Sequence, residues 1–167
     1  YWVGRYAERV TRQARLLRGM AQTEMLHPET RAQSIGEFRK MLQLMEIYCG
    51  GKAPRKGTYR NRIRRAVCGK TGTGSLSANI KALVASAYTV RDIWSQDSWR
   101  TLVSLEEVGE RFKQYDPEKM ATSQAVGDLL EKLNAFLGLN TSCMNRESGW
   151  SMLMLGRNLE GAIGLCE

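Results

Sequence analysis

Residues 1–18, YWVGRYAERVTRQARLLR, decide the fold class. On a helical wheel at about 100° per residue, Trp2, Val3, Tyr6, Ala7, Val10, Ala14 and Leu17 share one broad apolar arc. Arg5, Glu8, Arg9, Arg12 and Arg15 gather on the other side. An apolar stripe of this width is what a helix needs to dock on a core by one face. The polar side is unusual in content, because four arginines surround a single carboxylate, Glu8.

The same pattern returns near the end of the chain. Val3-Gly4-Arg5-Tyr6-Ala7-Glu8 matches Leu155-Gly156-Arg157-Asn158-Leu159-Glu160 as apolar-Gly-Arg-x-x-Glu. Its recurrence points to an internal duplication and makes Arg157 and Glu160 candidate counterparts of Arg5 and Glu8.

Between these ends, helical spacing predominates and only three prolines interrupt it. The expectation is an all-α fold, a bundle of about six or seven amphipathic helices joined by short connections. Helix boundaries are expected at about 2–26, stopped by His27-Pro28; 29–48, ended by Gly50-Gly51; 59–68; 76–93; 96–115, with Ser95 as N-cap; 116–139, with Asp116-Pro117 as N-cap and first-turn proline; and from Gly149 onward. Residues 1–167 read as a single helical domain. Because periodicity runs up to both ends, the chain also reads as a fragment of a longer duplicated domain. On that reading the apolar side of the last helix, Leu155, Leu159 and Ala162, is covered by dimerisation or by this chain's own bundle.

The net charge of +8 is concentrated. From Lys52 to Lys70 stand Lys52, Arg55, Lys56, Arg60, Arg62, Arg64, Arg65 and Lys70 with no acidic residue, within a basic, glycine-rich segment over 52–75. This stretch is open to three readings: a solvated loop, a docking surface for an acidic partner or an anion, and a nucleic-acid surface. Tyr59 alone interleaves an aromatic ring, and no nucleic-acid motif accompanies it, which weighs against the third. Gly69-Lys70-Thr71 resembles the end of a phosphate loop, but Arg64 stands where that loop needs its first glycine.

Cys49, Cys68, Cys143 and Cys166 form no CxxC pair, and His27 has no ligand partner at a suitable spacing, so no metal site and no cofactor are expected. Scattered thiols and the lack of a long apolar run point to a cytoplasmic protein without a membrane span. Glu8 and its arginines have a bland reading as a solvated face of weak intrahelical pairs. They also have two sharper ones, an anion- or ligand-binding surface and a buried ion pair locking helices. The junction Val90-Arg91-Asp92-Ile93-Trp94-Ser95 reads either as a cap with a packed tryptophan or as a place from which Arg91 or Asp92 reaches Glu8 or Arg9 across the bundle.

Trp2-Val3-Gly4-Arg5-Tyr6-Ala7-Glu8-Arg9, then Val90-Arg91-Asp92 with Ser95, Asp97 and Trp99, then Gly149-Trp150 with Leu155-Gly156-Arg157 and Glu160, together resemble the bacterial alpha-E domain. That family is a predicted all-helical domain with a Glu-Arg motif, typically in tandem duplication. The chain is similar to its first copy plus the opening of the second. Gly161 stands where a second Glu-Arg pair would place arginine, which argues against a second such site. Ser86-Ala87-Tyr88 stands where the family usually has Asn-Ala-Arg.

The resemblance implies a module that acts with ATP-grasp ligases and transglutaminase-like proteins in peptide synthesis or modification. Glu8 would then hold an ammonium group, and Arg5, Arg9 or Arg12 a carboxylate. A catalytic reading would instead make Glu8 a general base, with Arg9 and Arg91 steering an anionic substrate.

Overall fold

The computed structural model describes residues 1–23, 59–69, 74–116 and 121–165, with isolated positions 36, 40 and 43. The helix expected over 29–48 and the residues Arg55 and Lys56 lie outside the described residues, as does the side chain of Arg60. Six α-helices are described: α1 (Trp2–Thr23), α2 (Tyr59–Cys68), α3 (Leu76–Tyr88), α4 (Gln96–Lys113), α5 (Thr122–Cys143) and α6 (Ser148–Ile163). A single 3-10 turn, Arg91–Ile93, joins α3 to α4. Among the described residues there is no strand, and no helix is long and apolar enough to cross a membrane.

The first helix is the axis of the bundle. It packs against α3, α5 and α6, whereas α4 closes over α3 and α5 from outside. Val3, Ala7, Val10, Ala14 and Leu17 are all buried, and Ala7, Val10, Ala14 and Leu17 have no exposure at all. Their spacing of three and four keeps them in one line down the helix. The two alanines let neighbouring backbones come close.

Ile80, Leu83 and Ala87 of α3 and Leu129, Leu133 and Phe136 of α5 share one continuous core with them, which Leu102 and Leu105 of α4 extend outward. Phe136 is fully buried against the Trp94 ring, with centroids 5.6 Å apart. The wheel placed Trp2 on the apolar arc; the structure leaves it 55% exposed. It stands in the first turn, with its ring beside Tyr1, Tyr6 and the Arg5 guanidinium instead of the core.

Polar residues inside the core are matched in pairs. Asn79 Nδ2 donates to Gln13 Oε1 at 3.0 Å, while Gln13 Nε2 donates to the Gly74 carbonyl at 2.9 Å. This tethers the segment before α3 to the middle of α1. Ser98 donates to Asn140 Oδ1 at 3.0 Å, and Asn140 Nδ2 donates to the Phe136 carbonyl at 2.8 Å, joining α4 to α5. Such matching is what a buried amide requires, since an unpaired one costs about 1–3 kcal/mol.

Several boundaries differ from expectation. The helix expected to reach Ile93 stops at Tyr88, because Trp94 folds back and donates from Nε1 to the Ala87 carbonyl at 2.9 Å. Val90 is therefore on the exposed turn. Asp116 does not cap the next helix, which starts at Thr122. That helix runs past 139 to Cys143, helped by Asn140 and Thr141 bonding back to carbonyls four residues earlier. Ser95 caps α4 as expected, accepting from the Ser98 N–H at 3.1 Å.

Candidate functional site

The site is built where α1 meets α6. The two repeated motifs lie against each other here, and the glycine of each motif makes the meeting possible. A Cβ on Gly4 would overlap the Leu153 carbonyl oxygen, and a Cβ on Gly156 would overlap the Tyr1 carbonyl oxygen. Leu153 precedes Gly156 by the same three positions that separate Tyr1 from Gly4. The relation is therefore reciprocal, and a pseudo-twofold axis runs through the glycine contact. Contacts climb both helices together: Gly4 meets Leu153 and Arg157, Arg5 and Arg9 meet Glu160, and Arg12 meets Glu160 to Gly164. That is the register of two helices running in the same direction.

Close approach brings the charged residues of each motif onto the other helix. Arg5 Nε donates to Glu160 Oε2 at 2.7 Å, and Arg9 Nε donates to Glu160 Oε1 at 2.6 Å. Glu160 has no solvent exposure. Both of its oxygens are therefore met by guanidinium N–H groups, the condition under which a carboxylate is tolerated away from water. The bond to Glu160 holds the Arg5 guanidinium above its ordinary pKa.

Arg5 also lies over the Tyr1 and Trp2 rings, and Arg9 over Tyr6, so aromatic faces take up the charge that Glu160 does not. Arg12 donates to the carbonyls of Glu160 and Gly161 at 3.2 and 3.4 Å and to that of Gly164, capping the end of α6 with positive charge.

The symmetric partner of the Arg5–Glu160 pair is Arg157–Glu8, and it is looser. Arg157 Nε stands 3.8 Å from Glu8 Oε2, beyond hydrogen-bond reach. The asymmetry has a sequence cause. Arg9 corresponds to Gly161, and Arg12 corresponds to Gly164, so α6 returns only one of the three guanidiniums that α1 sends across.

Two sequence-based expectations change here. Glu8 is not the acid ringed by arginines; Glu160 is, because Arg5, Arg9 and Arg12 cross to α6 and leave Glu8 on their own helix. Nor does Gly161 cancel the second motif: its glutamate is the more deeply buried of the two. The solvated-face reading of Arg5, Arg9 and Arg12 also gives way, since α6 covers that side of α1.

The remaining candidates are not brought to this crossing. Arg91 is exposed, with its guanidinium 4.8 Å from the centre of the Trp99 ring, and it forms no ion pair among the described residues. Asp92 is exposed on the 3-10 turn. Arg62, Arg64 and Arg65 lie on α2, which packs on α3 and α4 and not on the α1–α6 crossing. The two clefts described among these residues, one beside Ile80, Val84 and Gly109, the other beside Val108, Phe112 and Tyr115, include neither Glu8 nor Glu160. On α6, Leu155 and Leu159 remain 53% and 41% exposed and Ala162 is exposed, so the described helices do not bury them.

Residues 1–167 match, over their whole length, a family described as a predicted alpha-helical domain with a conserved ER motif. The chain belongs to the Alpha-E family. Glu8-Arg9 is the Glu-Arg dipeptide at the helix crossing. At a second one, on α4, Glu110 pairs with Lys113 and Arg111 with Asp128 of α5, all of them exposed.

Relatives include an uncharacterized protein of Mycobacterium tuberculosis and another of Mycobacterium bovis. Each is 28% identical over 184 residues that cover 99% of this chain and 20% of the relative. The Alpha-E chain thus spans about a fifth of the length of the curated relatives it matches. No solved structure matches it.

Proposed function

We propose that this Alpha-E chain is a non-catalytic helical accessory module that acts with an ATP-grasp ligase, or with a transglutaminase-like protein, in a peptide synthesis or modification system. One observation supports the non-catalytic part: the arginines of the motif helix are spent internally. Arg5, Arg9 and Arg12 are engaged by α6, and the carboxylate they surround is sealed from solvent. A general base must reach a substrate proton. Glu160 has no open side from which to do so, and neither of the two clefts described above includes Glu8. Locking helices is the role that this geometry favours.

The ligase partner follows from the family resemblance, and the work of such a module would be to dock on the ligase or to hold its acceptor peptide. Co-purification with an ATP-grasp ligase of the same organism tests the proposal. Retention of the ligase on the immobilised Alpha-E chain is the expected result. Absence of retention both with and without ATP would remove the reading, as would peptide-modifying turnover by the chain alone.

A further inference from the structure

The crossing has two halves, and only one of them is chemically complete. Around Glu160, two guanidiniums meet the two carboxylate oxygens. Around Glu8, Arg157 alone approaches, at 3.8 Å. Every arginine of α1 within one turn of Glu8 is committed elsewhere: Arg5 and Arg9 to Glu160, and Arg12 to the carbonyls at the end of α6. Arg157 Nε is buried and has no hydrogen-bond acceptor among the described residues. The Glu8 side chain is 19% exposed, whereas that of Glu160 is sealed.

The pseudo-twofold axis says what would complete this half. The counterpart of Arg9 is Gly161, and a Cβ built there meets nothing within 4 Å. A side chain therefore has room to start from position 161, the place on α6 from which a counterpart of Arg9 would reach toward Glu8. By contrast, Gly164, the counterpart of Arg12, has no such room, because a side chain there would collide with the Arg12 guanidinium.

We infer that the Glu8 carboxylate, beside Gly161, is a binding site for a guanidinium group carried by another polypeptide. An arginine side chain entering there occupies for Glu8 the place that Arg9 occupies for Glu160. Its planar fork suits a carboxylate oxygen whose other neighbour is also an arginine. With Glu8 held in place, the Arg157 contact shortens toward the 2.7 Å of its counterpart, and the buried Nε gains its acceptor. The inference does not depend on an ATP-grasp partner; it assigns the group that any partner must present.

Two measurements test it. First, Gly161→Arg supplies the guanidinium from within, and Gly161→Gln controls for the gain in helix propensity, which is similar for the two residues. Thermal melts are compared in the native and Glu8→Gln backgrounds. Gly161→Arg is expected to melt about 2–4 °C above Gly161→Gln, with the difference lost in Glu8→Gln. Equal melting of the two Gly161 variants, or a difference that persists without the Glu8 charge, would overturn the inference.

Second, the native protein is titrated with agmatine while the Glu8 carboxyl carbon is followed by NMR. A saturable shift in the native chain, absent in Gly161→Arg and in Glu8→Gln, is expected, with affinity on the order of 1–10 mM. No saturable shift in the native chain would overturn it, as would an undiminished one in Gly161→Arg.

Discussion

Arg5 on the first helix and Glu160 on the last are joined by a 2.7 Å hydrogen bond between Nε and Oε2, with the carboxylate fully buried. Two segments at opposite ends of the chain are thereby held at one point. Arg9 binds the second oxygen of the same carboxylate. The repeated motif is thus a clasp between its own two copies, with each glycine admitting the other backbone and each glutamate facing the other copy's arginine.

The glycines set the distance at which the clasp works. Gly4→Ala and Gly156→Ala each drive a methyl group into a main-chain carbonyl that has no room to yield. Each is expected to destabilise the protein by about 2–4 kcal/mol, within the range of severe overpacking. Gly161→Ala, with nothing near its Cβ, is expected to stabilise by up to about 1 kcal/mol from helix propensity alone. Urea denaturation of the three variants checks both signs.

Arginine is required at position 5 for its shape. Its Nε bonds Glu160 while the rest of the guanidinium plane lies over Tyr1 and Trp2. Lysine keeps the charge but loses the fork and the stacking. Arg5→Lys is expected to lose about 1–2 kcal/mol. Arg15→Lys, at an exposed position on the same helix, is expected to change stability by less than about 0.5 kcal/mol. Matched thermal melts separate the two.

The polar tether between Gln13 and Asn79 is expected to matter more than its position suggests. Asn79→Leu removes the donor that meets Gln13 Oε1 and the Gly74 carbonyl, both within the core. A loss of about 1–3 kcal/mol is expected. Faster amide exchange should appear first in the segment around Gly74–Ser77, which the tether holds against α1, and chemical denaturation with hydrogen exchange reads both effects.

Much of the fold was legible because apolar spacing carries it. The stripe of Val3, Ala7, Val10, Ala14 and Leu17 and that of Ile80, Leu83 and Ala87 are where a helical period puts them. Ser95 announced its helix through a capping side chain. Phe136 is buried between Leu133 and Leu137, which widens the apolar side of α5 by one position.

The site was half legible. Arg5, Glu8, Arg157 and Glu160 were marked by the repeated motif, and Arg9 and Arg12 by the polar side of the first helix. Their pairing was not, because a helical wheel treats each helix as if its polar side met water. Two close glycines bring a second helix onto that side, and an arginine is long enough to pass over its own helix's carboxylate and reach the neighbour's. The motif glycines were the available signal: Gly4 and Gly156 at matching positions mark a helix–helix contact before they mark anything else.

The account depends most on Glu160 being the acid that holds α1 to α6, with Glu8 secondary. Thermal denaturation of Glu160→Ala beside Glu8→Ala tests this directly. Loss of Glu160 leaves Arg5 and Arg9 without their partner and should cost about 3–5 kcal/mol, which lowers the melting temperature by about 10 °C or more. Loss of Glu8, part-exposed and 3.8 Å from Arg157, should cost no more than about 1 kcal/mol. Equal losses, or a larger loss at Glu8, would contradict the account.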